Sequence, residues 1–388
     1  MLLNNAAEVI VVPALVDLHV HFREPGAEYK EDILSGSRAA ARGGYTAVCC
    51  MPNTKPVIDN RETAEFVLRR GREIGLVDLF VVGALSKGQE GRELADFEGM
   101  KQAGVIAFSD DGKTLMDLDL MRRAAERVRD LGLFITDHAE NHAVSAGGVI
   151  NDGEISRRLN LRGILNSAEA DIVARDIMLA RETGCRFHLQ HISTKESVSL
   201  IREAKTEGLP VTAETAPHYF ALTDAAVTAH GANAKMNPPL RSELDRQAII
   251  EAIIDGTIDV IATDHAPHAE SEKAQPIETA PFGIVGLETA FAVSYTTLVM
   301  PGFISLQKLI QLMSDNPAKI LNIQRSGLAV GDIADFAVFD IGSPYTIDRA
   351  AFVSKGKNTP FHGMTVYGRA LLTVKGGKIT WKDFAHDR

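Results

Sequence analysis

LVDLHVHF (15–22) decides the frame of this chain. Asp17, His19 and His21 alternate with Val16, Leu18, Val20 and Phe22, so a strand here carries polar groups on one face and bulky apolar groups on the other. Similar short β-rich runs follow at 45–53 (YTAVCCMPN), 78–86 (DLFVVGALS), 105–111 (VIAFSDD) and 133–141 (LFITDHAEN). Three more lie at 186–193 (RFHLQHIS), 210–219 (PVTAETAPHY) and 259–268 (DVIATDHAPH). Amphipathic segments separate them, such as SAEADIVARDIMLARETG (167–184), which stops at Gly184 as a helix C-cap would. Ser193 and Glu196 have capping-box spacing at the start of the helix after the sixth strand. Eight strands alternating with helices predict an α/β fold, a (β/α)8 TIM barrel. An open dinucleotide-binding sheet is disfavoured, because no G-x-G-x-x-G follows the first strand.

Beyond about residue 322 the texture changes. GLAVGDIADFAVFD (327–340) and GMTVYGRALLTVKGGKITW (363–381) predict short strands and hairpins, with Gly376-Gly377 as a turn. The expected division is a barrel over 14–322 and a small β module built from 1–13 plus 323–388.

The 388 residues carry a formal charge of −10 and no long basic run, so nucleic acid and anionic membrane are excluded as expected partners. No apolar stretch is long enough for a membrane span, and the N-terminal run, broken by Pro13 and Asp17, is not expected to be a signal peptide. Cys49, Cys50 and Cys185 are an odd, irregular set that suits a reducing cytoplasm. Alternation sends Cys49 and Cys50 to opposite faces as small buried apolar residues.

The polar residues gather at the C-terminal ends of the predicted strands: His19 and His21, Asp110 and Asp111, His138, His191, then Asp264, His265 and His268. In a barrel these ends meet at one mouth, where active sites lie. Parity in the fourth strand turns Asp111 inward with Ala107 and Ser109, away from Phe108 and Asp110; it does not separate Asp264 from His265. Four histidines and two carboxylates suit two ions such as Zn2+. One carboxylate can bridge the pair, and a bridging water or hydroxide would be the nucleophile.

HVHFREPG (19–26), AARGGYTAVCCMPNT (40–54), FSDDG (108–112), DHAE (137–140), HISTKES (191–197), KMNPPLR (235–241) and TDHAPH (263–268) together resemble class I dihydroorotase of the amidohydrolase superfamily. APFGIVGLET (280–289) and SKGKNTPFHG (354–363) extend the likeness, which runs from about residue 8 to about 370. The resemblance implies reversible zinc-dependent cyclisation of N-carbamoyl-L-aspartate to L-dihydroorotate, a step of pyrimidine (UMP) biosynthesis. It implies two zinc ions per chain, one held by His19, His21 and Asp264, the other by His138 and His191, with Asp111 and a water or hydroxide bridging them. Asp264 is the implied general acid and base. Arg23, Asn53 and His268 are the implied carboxylate contacts, Asn237 a ring contact, and Phe282 and Gly283 a loop that meets substrate through its backbone. The residues agree with this: the substrates are anions, and an arginine grips a carboxylate bidentately.

The family usually precedes its barrel with more N-terminal strands of a β-sandwich, and has Gly where this chain has Ala14. The expected module is therefore an N-terminally truncated β-sandwich, and exposed strand edges point to a homodimer. His188 is expected on the strand face opposite His191, and His218 in a structural or supporting place; His142, His230, His362 and His386 join no motif. A dihydropyrimidinase, hydantoinase or allantoinase is the enzyme alternative. Those relatives typically bridge their metals with a carboxylated lysine, whereas FSDDG offers Asp111. The other alternative is an inactive scaffold for aspartate transcarbamoylase.

Overall fold

The computed structural model describes residues 8–323 and 328–383. Its centre is an eight-stranded parallel sheet whose spatial order follows the chain. The strands are Leu15–Val20, Tyr45–Cys50, Asp78–Gly83, Ala107–Phe108, Phe134–Asp137, Arg186–Leu189, Val211–Thr215 and Val260–Ile261. First and last strands meet at the mouth: Val20 bridges His265 in parallel, and the His21 N–H donates to the His265 carbonyl at 2.9 Å. The sheet thus curls into the (β/α)8 barrel that eight alternating units favour.

The strands are shorter than their sequence runs. The fourth is only Ala107–Phe108, and Ser109, Asp110 and Asp111 have already left the ladder. The polar tails at the C-terminal ends are loop, which frees their side chains for the mouth. The first strand also departs from strict alternation. Its register against the second strand shifts between Leu15 and Val16 and again between Asp17 and Val20. A bulge of this kind rotates the side chains beyond it. Val16 and Leu18 therefore join one apolar cluster with Ala47, Cys49, Met51 and Val260, while Val20 and Phe22 join the larger one with Val48, Cys50 and Ile33. Parity had placed all four on one face. Cys49 and Cys50 do fall in different clusters, both as free, buried thiols.

Helices cover the outside. Ser167–Thr183 ends on Gly184, which caps it with φ 71°. The helix after the sixth strand, Lys195–Thr206, starts one residue later than the capping-box spacing implied: Thr194 is the N-cap, accepting from the Ser197 N–H. Ser193 is engaged elsewhere, its backbone N–H donating to Glu169 at 3.2 Å. Asn316–Leu321 contributes Ala318 and Leu321 to the cluster of Val16, Leu18 and Ala47.

A second sheet is antiparallel. Val9–Pro13, Phe336–Asp340, Arg369–Lys375 and Lys378–Lys382 lie in that order. Gly376 and Gly377, at φ 57° and 77°, make the two-residue turn between the last two strands; two positive φ angles in a row are what a type I′ hairpin needs. A stacked pair of rings, Phe291 and Phe339 at 3.7 Å, and a hydrogen bond from Thr373 to the Ala41 carbonyl tie this sheet to the barrel's helices. Its outer strands expose Val9, Val11 and Ile379. Residue 327, the start of one predicted strand run, lies outside the described residues. No helix among the described residues is long and apolar enough to cross a membrane.

Candidate metal centre and substrate pocket

Five strand ends and the loops beyond them bring the polar residues to one mouth. Two groups of ligand atoms form there: His19, His21 and Asp111, and Asp111, His138 and His191. Within each group the ligand atoms lie within 4.8 Å of one another, and every residue is buried. Asp111 belongs to both. Its Oδ1 is 3.4 Å from His19 Nε2 and 4.0 Å from His138 Nδ1, and its Oδ2 is 3.6 Å from His21 Nε2. Asp264 sits across from it, with Oδ1 3.1 Å from His21 Nε2 and 3.6 Å from His19 Nε2. His265, which parity could not separate from Asp264, turns away: its Nδ1 faces the Gly286 N–H at 3.2 Å and its Nε2 faces Glu31 at 3.4 Å. Asp110 also turns away and accepts the Leu85 and Ser86 N–H groups.

The donor chemistry fits a borderline divalent metal. Buried polar atoms are almost always hydrogen-bonded. Yet His19 Nε2 and His191 Nδ1 are buried without a hydrogen-bond partner. His191 and Asp264 also hold φ at 34° and 46°, a left-handed backbone uncommon outside glycine, although His and Asp adopt it more readily than most residues. Burial, with His138 and His19 beside it, lowers His191 to about 3, so it is a neutral donor. Burial alone would raise Asp111, but His21, His19 and His138 hold it far below the usual carboxylate range. Asp264 is lowered in the same way, burial being outweighed by His21 and His19.

Above these groups lies a cavity of about 220 Å³. His21, Arg23, Asn53, Asp111, His138, His191, Asn237, Asp264, His268, Phe282 and Gly283 all line it. Of the twelve residues expected to hold metal or substrate, His19 alone does not line it, its ring 5.2 Å from His21 and 5.1 Å from His191. Asn53 joins rim to floor, with Oδ1 2.9 Å from His21 Nδ1 and Nδ2 donating to Asp111 at 3.1 Å. Arg23 donates from Nε to the Pro267 carbonyl at 3.4 Å, and desolvation lowers its pKa. His268 is lowered to about 3 by burial and by Arg23, Lys30 and Lys273, so it is neutral beside that cation. Its Nε2 lies 2.7 Å from the Phe282 carbonyl. Gly283 has φ 125°, and a Cβ there would come within 2.7 Å of the Ala266 Cβ, so only glycine lets this loop close on the pocket.

Several groups at this mouth had no place in the sequence reading. Glu140, inside the DHAE motif, lies 3.0 Å from His138 Nε2 and accepts from Asn237 Nδ2 at 2.8 Å. Asn358, inside SKGKNTPFHG, donates to the Ala266 and Gly283 carbonyls at 3.0 Å each and accepts the His268 N–H. Glu214, at the end of the seventh strand, lies 2.8 Å from His19 Nδ1 and 3.0 Å from His188 Nε2. His188 thus faces the barrel interior on the side of His191: Glu214 joins it to His19, whose ring lies 5.1 Å from that of His191. The strand ends at Leu189, and the turn at His191 breaks the parity on which that expectation rested. His218 is buried against Tyr219, and its Nε2 has no partner.

A family model described as Dihydro-orotase-like matches residues 8–197. The chain is 49% identical to a dihydroorotase of Pelotomaculum thermopropionicum over 98% of its own length and 88% of that protein's. It is 50% identical to a dihydroorotase of Syntrophus aciditrophicus over 97% and 88% of the two chains. Among solved structures it resembles an L-hydantoinase (dihydropyrimidinase) of Arthrobacter aurescens, with a TM-score of 0.86 and 26% identity over 96% of this chain and 85% of that one. A dihydropyrimidinase of Brevibacillus agri, 21% identical with a TM-score of 0.81 over 96% and 85%, shares the fold. At half identity over nearly its whole length, with one mouth that gathers histidines and carboxylates, the chain belongs to the dihydroorotase family of cyclic amidohydrolases.

Proposed function

We propose that this chain catalyses the reversible cyclisation of N-carbamoyl-L-aspartate to L-dihydroorotate and water, with two zinc ions per chain. One observation carries the reading: two ligand groups that share Asp111 lie directly beneath a cavity rimmed by Arg23. His19, His21 and Asp264 would hold one ion, His138 and His191 the other, with Asp111 between them. Bound there, the ions supply Lewis acidity to the scissile carbonyl and ease deprotonation of the attacking water.

The chain's own residues do the rest. Arg23 holds the substrate carboxylate, with Asn53 and the neutral His268 beside it. Asn237 contacts the ring, and the backbone at Phe282 and Gly283 closes the pocket on it. In the opening direction Asp264 takes the proton of the attacking water. It then delivers that proton to the ring nitrogen as the C–N bond breaks. In the closing direction the protonated Asp264 helps water depart. Closure consumes a proton, so lower pH favours the ring and higher pH the open chain.

Three further readings go with this one. We take 14–322 as the catalytic barrel and 1–13 plus 323–388 as the β module, a homodimer whose interface covers the exposed strand edges at Val9, Val11 and Ile379, and a cytoplasmic site of action, which the three unpaired cysteines suit.

Zinc-loaded protein is expected to interconvert L-dihydroorotate and N-carbamoyl-L-aspartate and to leave hydantoin and dihydrouracil untouched. Turnover of hydantoin without turnover of dihydroorotate would move the activity to the hydantoinase class. No turnover of any of them, with both metals bound, would leave a scaffold.

A further inference from the structure

The seventh barrel strand, Val211–Thr215, and the loop after it carry none of the proposed metal ligands. The seventh nevertheless ends in Glu214, a carboxylate 1% exposed inside the barrel. Both its oxygens are engaged, Oε1 2.8 Å from His19 Nδ1 and Oε2 3.0 Å from His188 Nε2. The far nitrogen of His188, Nδ1, lies 2.8 Å from the Thr212 hydroxyl.

This chain of contacts runs in one direction. An ionised carboxylate only accepts, so His19 Nδ1 and His188 Nε2 must both carry protons. His188 Nδ1 then has a lone pair, which accepts the Thr212 O–H. In a neutral ring, His19 Nε2 is likewise left as a lone pair. That atom is buried, has no hydrogen-bond partner, and faces Asp111 Oδ1 at 3.4 Å and Asp264 Oδ1 at 3.6 Å. A lone pair aimed at two carboxylate oxygens is repulsive unless a metal ion sits among them, and without the metal the same carboxylates draw a second proton onto the ring. A carboxylate on the distal nitrogen fixes ring and tautomer in this way for a metal-bound histidine.

We infer that Glu214, backed by His188, is a positioning residue that holds His19 with its Nε2 lone pair facing the metal site. The inference rests on the reading of His19 as a ligand. His19 belongs to one ligand group only, with His21 and Asp111, so its loss of support has a signature that general destabilisation lacks.

The test is zinc titration of wild type and Glu214→Gln against a competing chelator, with folding checked by circular dichroism. Gln keeps the shape, but its amide can accept from only one of the two rings. The expected result is two zinc ions in wild type, and in the variant one of the two weakened about 10–100-fold with the other unchanged. Equal affinity at both sites in the two proteins would overturn the positioning role, and so would equal weakening of both sites, which is a structural effect. No zinc binding by wild type would sink the metal reading itself, and this inference with it. Should Glu214→Gln fail to fold, zinc-loaded wild type labelled with 15N-histidine gives the answer. His19 is expected to carry a slowly exchanging proton on Nδ1, assigned by its loss in His19→Asn. An unprotonated Nδ1 would refute the assignment.

Discussion

The floor and the rim of this pocket are built by different means. On the floor, His19, His21, Asp111, His138 and Asp264 are fixed by strand ends and by one another; every one is buried, and side chain faces side chain. On the rim, Arg23, His268, Phe282 and Gly283 sit on loops and are tied to backbone carbonyls. Lysines do much of the tying. Lys235 Nζ donates to the Ile277 and Ala280 carbonyls at 2.6 and 2.7 Å, and Lys273 Nζ to those of Pro281 and Gly283 at 2.9 Å each. A floor built this way presents fixed charges to the reacting atoms, while the rim is left to choose the substrate. Damage to the floor should therefore fall on the chemical step, and damage to the rim on binding.

Asp264→Asn tests the floor and should have the largest effect. Its shape is retained but it carries no proton, so turnover in both directions should fall by about 10²–10⁴ with zinc still bound. Near-normal rates in the metal-replete variant would show that another group moves the proton. Arg23→Ala tests the rim. A charge-assisted hydrogen bond contributes about 1.5–3 kcal/mol, so kcat/KM for dihydroorotate should drop by roughly 10–150-fold. Because no core cavity opens, the melting temperature should stay near wild type. Equal turnover at subsaturating substrate would remove Arg23 from the carboxylate clamp.

Gly283→Ala should weaken the rim more gently. The new methyl meets Ala266 at 2.7 Å in a backbone conformation that alanine resists, so the loop must shift. We expect KM to rise several-fold, about tenfold at most, with kcat largely kept. A fall in kcat at unchanged KM would mean that this loop serves the chemical step and that the floor–rim division is misplaced.

The same division separates what the sequence revealed from what it concealed. The β/α alternation was legible because apolar runs and caps such as Gly184 are local signals. The histidines and aspartates at strand ends were legible because a barrel brings all those ends together, whereas Asn237, Phe282 and Gly283 were named only through the family resemblance; eleven of the twelve named residues line one cavity. What stayed hidden depended on partners distant in the chain. Glu214 looks like an ordinary strand residue until His19, 195 positions away, is found 2.8 Å from it. Parity failed at His188 and at Val16 and Leu18, in the first case because the strand ended, in the second because the ladder slipped. The capping box failed by one residue: Ser and Thr both serve as caps, and it is Thr194 that accepts the Ser197 N–H, although both residues contact Glu169.

The smallest effect lies in the rim's lysines and is read as stability against pH. Lys273 is 6% exposed, and burial together with the nearby Lys235 lowers it to about 7 from a usual 10.5. Between those values the unfolded chain keeps the proton and the folded chain has lost it. The unfolded state then binds more protons, so this group makes stability rise with pH across the window and fall as pH drops back toward 7, below which both states are protonated and the dependence ends. From pH 7 to pH 9 its share is about 2 kcal/mol at most. The carbonyls of Pro281 and Gly283 oppose the shift, because an ammonium donates to them better than an amine does. Urea melts of wild type and Lys273→Met at both pH values isolate the term, since the other titrating groups are shared. Wild type should gain up to about 2 kcal/mol relative to the variant on going from pH 7 to pH 9. Parallel pH profiles would mean that the carbonyls win and Lys273 stays charged, which would make the rim as firmly ionic as the floor.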